Sequence, residues 1–189
     1  ILVFSNPAGE ILDGLDMPEQ TLDRSYGRVP DGSGEFSYLL YPTPGDLNDE
    51  HASSRVLPYE ISFTPPGGFH SAGVNVTLSA DIPFDDFQIR YTTNGTAPTA
   101  TSTLYAEPLS LPRDRVIRAA GFLGDRMVLR PVSQSYFIAR RNLVLPVLSV
   151  SMNPADFQQV HNNSGGRGRA AERAGFLEIF ETDGRQALK

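Results

Sequence analysis

The chain has 189 residues, with 16 Lys plus Arg against 22 Asp plus Glu for a formal net charge of −6, and it contains neither Cys nor Trp. A thiolate metal site, a disulfide framework and a Cys nucleophile are thereby excluded, and an isoelectric point near 5.0 argues against a nucleic-acid partner, whose phosphates demand a basic face. No apolar run reaches the ~18–20 residues of a membrane-spanning helix, while 40 % hydrophobic residues set the chain apart from globally disordered sequences.

Ile1-Leu2-Val3-Phe4 predicts a strand. With no initiating Met or basic leader, this run is too short for a signal peptide, and the chain reads as a piece of something longer. Turn signals then recur at Asn6-Pro7-Ala8-Gly9, Pro30-Asp31-Gly32, Thr43-Pro44-Gly45-Asp46, Pro65-Pro66-Gly67-Gly68, Asn94-Gly95 and Asp183-Gly184. Between them, Val74 to Ala80 alternates strictly and puts Val74, Val76, Leu78 and Ala80 on one face; Ile89-Arg90-Tyr91-Thr92 repeats the pattern. Leu148, Val150 and Met152 alternate with Ser149 and Ser151. One helix is expected, from Asn153 to Val160, with Asn153 as N-cap and Pro154 at the first helical position. Short strands separated by turns every ~8–12 residues indicate an all-β sandwich. The organisation expected is 1–48, a polar linker over 49–57, the best strand alternation over 58–139, and a further unit over 140–189 with a Gly/Arg loop and a strand from Phe176 to Glu181.

The central residues resemble a known module. Pro65-Pro66-Gly67-Gly68-Phe69 is followed by Val74-Asn75-Val76-Thr77-Leu78-Ser79 and by Ile89-Arg90-Tyr91-Thr92-Thr93-Asn94-Gly95-Thr96-Ala97-Pro98-Thr99. Leu104-Tyr105, Pro108-Leu109, Val116 to Phe122 and Ser135-Tyr136-Phe137-Ile138 complete the order. It is similar to the chitobiase/β-hexosaminidase C-terminal domain, which implies an immunoglobulin/fibronectin-III-like β-sandwich over 58–139. Arg24 to Gly34 with Thr43-Pro44-Gly45 resembles the last third of a bacterial lamin-tail domain, over 1–48. Leu145 to Val150, Asn153-Pro154-Ala155-Asp156-Phe157, Glu172-Arg173 and Glu178 to Gly184 resemble the opening of a CotH-type kinase domain, incomplete over 140–189. Without reference to any family, Asn94-Gly95 suits a tight turn with positive φ. Thr92, Thr93, Thr96 and Thr99 can bond loop backbone, and Pro98 stiffens the exit, so the Tyr91–Thr99 stretch reads as scaffolding, with a ligand-binding loop as the alternative.

The sequence assigns no catalytic, cofactor-binding or metal-binding residue. There is no G-x-S-x-G elbow, since Gly32-Ser33-Gly34 sits in a turn. His51, His70 and His161 read as exposed loop residues. Asp81, Asp85 and Asp86 offer hard oxygen atoms for Ca²⁺, but a solvated acidic turn is the expected reading, as it is for Asp49-Glu50. Gly166-Arg167-Gly168-Arg169-Ala170-Ala171 fits G-x-G-x-x-A, yet Asn162-Asn163-Ser164 precede it instead of a strand, and no βαβ unit follows. A surface loop with Arg167 and Arg169 in solvent is expected; a Gly-rich flap over ATP is the alternative that the CotH-type resemblance implies. For sugar binding without Trp, Tyr105 and Tyr59 are the aromatic residues to test, while Tyr91 and Tyr136 fall at core phase; core or edge packing with a satisfied hydroxyl is the expected reading for these tyrosines. The sequons at Asn75, Asn94 and Asn162 matter only in a glycosylating host.

The resemblances together imply a secreted or cell-surface bacterial multidomain protein. The expectation is a non-catalytic β-sandwich spacer that presents a CotH-type kinase domain. Its expected partner is a cell-surface polymer or protein, and it needs no cofactor. The alternatives are a carbohydrate-binding accessory module and the partial ATP-binding edge of a kinase.

Overall fold

The computed structural model describes residues 1–19, 24–32, 34–48, 51–57, 60–139, 144–184 and 186–188. Tyr59, Ser33 and the Asp49-Glu50 pair, all weighed above, lie outside the described residues. Among the described residues strands make up 46 % and helix 7 %, so the fold is all-β. The chain forms two compact units, Ile1–Leu57 and Pro58–Lys189.

In the first unit, β1 (Leu2–Ser5) and β2 (Ile11–Leu15) form an antiparallel hairpin. Asn6 makes its turn, because the side-chain Oδ1 accepts from the backbone N–H of Ala8 and of Glu10, each at 3.0 Å. β3 (Ser25–Val29), β4 (Glu35–Leu39) and β5 (Ala52–Ser53) make a three-stranded antiparallel sheet. Tyr26 stacks on Phe36 at 5.6 Å, and the Arg28 guanidinium sits over the same ring at 4.3 Å while reaching Asp13 of β2 at 3.2 Å. Leu39, Leu40 and Leu57 are buried, whereas Leu2, Phe4, Ile11 and Leu12 of the hairpin are exposed.

The second unit contains β6 (Ser62–Thr64), β7 (Gly68–His70), β8 (Val74–Ser79), β9 (Phe87–Thr92), β10 (Thr103–Leu104), β11 (Leu109–Leu111), β12 (Arg115–Leu123) and β13 (Arg126–Ile138). They form two facing sheets, one of five strands in the order β10-β9-β12-β13-β7 and one of three in the order β11-β8-β6. Every pairing is antiparallel except β7 with β13, which is parallel through Tyr136–Gly68, Phe137–Phe69 and Ile138–His70. The core between the sheets holds Ile61, Phe63, Val76, Leu78, Leu111, Ile117, Ala119, Leu129, Val132 and Tyr136, with Val74, Ala80, Ile89 and Tyr91 packed against it. The alternation of β8 thus faces the interior as its pattern predicts.

Two details shape the long β12–β13 ribbon. Ala119 pairs with Val132 but Gly121 with Leu129, so β13 carries one extra residue there. Pro131, which has no N–H for the ladder, falls within that bulge, and the change of phase lets both Leu129 and Val132 enter the core. Gly121 is required by close packing: a Cβ there would lie 2.6 Å from Phe87 Cε2 and 2.8 Å from Leu129 Cγ.

A third layer follows. β14 (Val147–Met152), α1 (Pro154–Asn162), β15 (Gly175–Phe180) and β16 (Gln186–Leu188) include a three-stranded antiparallel sheet in the order β14-β15-β16. Asn153 caps α1 as its sequence predicts, its Oδ1 accepting from Ala155 N–H at 2.9 Å.

Candidate functional site

Strand phase fixes what the five-stranded sheet shows on its two faces. Ile117 and Ala119 of β12 and Val132 and Tyr136 of β13 face the core, so Val116, Arg118 and Ala120, with Ser133, Ser135 and Phe137, face outward. From β9, Gln88, Arg90 and Thr92 join them. This outer face is largely polar, and the third layer meets it with Glu178 of β15 and Ser149 of β14, which are register partners.

At the centre of this seam Glu178 is fully buried. Its Oε2 accepts the Ser135 hydroxyl at 2.5 Å, and its Oε1 accepts the Ser135 backbone N–H and the Gln186 amide, each at 3.2 Å. The Ser135 hydroxyl lies 2.7 Å from the Ser149 hydroxyl. Beside this network Phe180, also fully buried, meets Phe137 edge-on at 5.4 Å and Phe69 at 6.0 Å. On the core side of β13 the Tyr136 hydroxyl donates to Pro65 C=O at 2.8 Å. Burial, reinforced by the Glu178 charge, raises the Tyr136 phenol well above its ordinary value. Two seam hydroxyls, Ser133 and Ser151, are buried without a hydrogen-bond partner among the described residues.

The loop from Thr92 to Ser102 is built from its own side chains. Thr92 Oγ1 donates to Thr96 C=O at 2.6 Å, and Asn94 Oδ1 accepts from the Thr96 N–H and hydroxyl. Thr99 N–H donates to Ser102 Oγ at 2.9 Å, and Pro98 is buried. Gly95 has φ +86°, and a Cβ there would stand 2.6 Å from Met152 C=O. The turn therefore needs glycine twice, for its conformation and for the approach of β14. Two arginines of the outer face tie the loop down: Arg118 Nη1 donates to Gly95 C=O at 2.9 Å and Arg90 Nη1 to Ser102 C=O at 2.8 Å.

Between this loop, Arg118, the start of α1 and the start of β15 lies a groove of about 440 Å³. Its polar lining is Thr96, Thr99, Ser102, Arg118, Asn153 and Asp156. Partial burial lowers the Arg118 pKa from its ordinary value, and the Arg118 Nε has no hydrogen-bond partner among the described residues. Asp156 lies 3.6 Å from Arg173.

Tyr105, Arg167 and Arg169 lie outside this groove and are placed as the sequence predicts. Tyr105 packs against the core, and its hydroxyl accepts Leu78 N–H at 3.1 Å, so it serves the sheet and is not a free stacking platform. The expectation of three exposed loop histidines is corrected in each case: His51 is in a loop but half-buried, 6.1 Å from the Tyr41 ring, and the other two lie in regular elements. His70 belongs to β7, half-buried, stacked on Tyr136 at 5.6 Å with Nε2 3.1 Å from Pro66 C=O; His161 belongs to α1, 5.9 Å from Phe157. Arg167 and Arg169 are exposed, with Arg169–Ala171 forming a single 3-10 turn. Among the described residues no three His, Asp or Glu side chains gather as a metal site, and no helix is long and apolar enough to cross a membrane. Sequence reasoning passed over Glu178 and Arg118. The available signal was a lone charge in an apolar strand, Phe176-Leu177-Glu178-Ile179-Phe180 and Val116-Ile117-Arg118-Ala119.

Comparison with known proteins bears on the sandwich. No curated protein and no solved structure matches the chain, and the resemblances of the flanks to lamin-tail and CotH-type domains gain no support from these comparisons. A family model matches residues 65–130, from the segment just after β6 into β13, and by it this stretch is similar to the chitobiase/beta-hexosaminidase C-terminal domain.

Proposed function

We propose that the chain is a non-catalytic β-sandwich spacer of a secreted or surface-attached bacterial multidomain protein, one that holds a following CotH-type domain in fixed orientation. The observation that carries this reading is the seam. Glu178 and Phe180 anchor the layer after the sandwich through bonds and ring contacts to Ser135, Phe137 and Phe69. A seam of directional bonds favours one orientation over others, which is what a presenting module requires. The similarity of residues 65–130 to an accessory module of carbohydrate-active enzymes supports a role beside catalysis. The end of a lamin-tail-like unit over 1–48 and the cell-surface location belong to the same proposal, on the strength of the sequence resemblance.

Thermal unfolding with and without Mg-ATP, alongside a phosphoryl-transfer assay, tests it. The expected result is an unchanged midpoint and no transfer. A ligand at 100 times its dissociation constant adds about 2.7 kcal/mol, a rise on the order of 5–10 °C for a domain of this size. Such a rise, abolished by Arg167→Ala, would assign the Gly166–Arg169 loop to an ATP site and overturn the spacer reading.

A further inference from the structure

From the groove between the Thr92–Ser102 loop and the start of α1, we infer a binding site for a sugar acid, a small polyhydroxylated carboxylate. The inference goes beyond the spacer reading and stands apart from it. Arg118 supplies the recognition of charge. A guanidinium carries five N–H donors in a planar fork that matches a carboxylate. Here one donor is used, by Gly95 C=O, and no ion pair involves Arg118 among the described residues. A partly desolvated cation without an anion is a group whose balance a ligand carboxylate restores.

The opposite wall specifies the rest of the ligand. Part of the hydrogen-bonding capacity there is used internally, by Thr96 toward Asn94, by Ser102 from Thr99 N–H and by the Asn153 Oδ1 cap; what is left for sugar hydroxyls is a lone pair on Thr96 Oγ1, the remaining capacity of the Thr99 and Ser102 hydroxyls and the N–H donors of the Asn153 amide. Asp156 accepts from hydroxyl donors, and its charge is already offset by Arg173 at 3.6 Å, so the groove calls for neutral donors at that end and not for an ammonium group. A volume of about 440 Å³ lies within the ~300–1,000 Å³ range of ligand clefts. The aromatic stacking usual in sugar sites is replaced here by polar contacts, in keeping with a chain that has no Trp.

The test is titration of the full chain with trigalacturonate, followed by amide NMR, with the methyl-esterified trisaccharide and acetate as controls. The expected result is a dissociation constant of ~1 mM or tighter, with shifts confined to the amides of 96–102 and 153–156. The ester removes the charge but keeps the hydroxyls, and it should bind at least about tenfold more weakly, the weight of a charge-assisted pair. Arg118→Gln should give a similar loss, and Arg118→Lys an intermediate one because the charge survives without the fork. Thr99→Val, at an exposed position, covers the case in which Arg118→Gln does not fold; it should weaken binding with an unchanged melting midpoint. Equal binding of acid and ester, acetate bound as well as the trisaccharide, shifts elsewhere in the chain, or no shift at 10 mM ligand, on the order of the weakest affinities that matter, each overturns the inference.

Discussion

The five-stranded sheet is buried on both faces, but the two are buried by different physics. Its inner face, against β11-β8-β6, is mainly apolar, with Ile117, Ala119, Leu129 and Tyr136 at zero exposure. The seam between its outer face and β14–β15 buries Ser133 and Ser135 against Ser151 and Glu178, beside the Phe180 ring. The inner face gains stability from area removed from water, a term with little directionality. The outer face gains little net free energy per bond, since each replaces bonds to water, but it loses much when one partner is deleted. Hydrophobic burial therefore holds the sandwich together, and hydrogen bonding sets where the third layer sits on it.

Substitutions separate these contributions. The largest loss is expected for Ile117→Ala, about 2–5 kcal/mol from lost transfer energy and a cavity, read as a lower urea midpoint. Glu178→Ala leaves Ser135 N–H and hydroxyl and the Gln186 amide without their acceptor, and should cost about 1–3 kcal/mol; hydrogen exchange should speed up across β14 and β15 first. An equal loss of protection in β8 would mean that the seam and the core are one cooperative unit. Gly95→Ala forces a Cβ at φ +86° against Met152 C=O, with ~1–2 kcal/mol from the backbone alone. Tyr136→Phe removes the bond to Pro65 C=O, about 1 kcal/mol. The same variant has a pH signature. Because the folded-state pKa of Tyr136 is raised, the unfolded chain loses this proton first as pH rises, so wild-type stability declines above pH ~10 and the decline should be shallower in the variant. The smallest effect, within about 0.5 kcal/mol, is expected for Leu148→Thr on the exposed side of β14.

The same contrast explains what could be read from sequence. Strict alternation in Val74–Ser79 and the turn at Asn94-Gly95 are local, and both predicted elements are present. So is the Asn153 cap with Pro154 behind it. For β14 the alternation identifies two faces but not which one is buried. Ser149 and Ser151 point inward to the polar seam, while Leu148 is 61 % and Val150 56 % exposed. That choice depends on the chemistry of β13 at Ser133 and Ser135, a strand away in the fold and out of reach of periodicity. The groove was illegible for the same reason: Arg118, Thr99 and Asp156 come from β12, the Thr92–Ser102 loop and α1, and the lone charge of Arg118 in an apolar strand does not say what it meets.

The parallel pairing of β7 with β13 has a mechanical consequence. β7 is the first strand of the five-stranded sheet in the chain and β13 the last. Once β6 has parted from β8, tension entering before Gly68 and leaving after Ile138 pulls these strands in opposite directions along their common axis. The pairs at Gly68, Phe69 and His70 are then loaded together in shear, whereas an antiparallel closing pair would open one bond at a time from its end. A sandwich closed in this way resists extension along its length more than its short closing strand suggests.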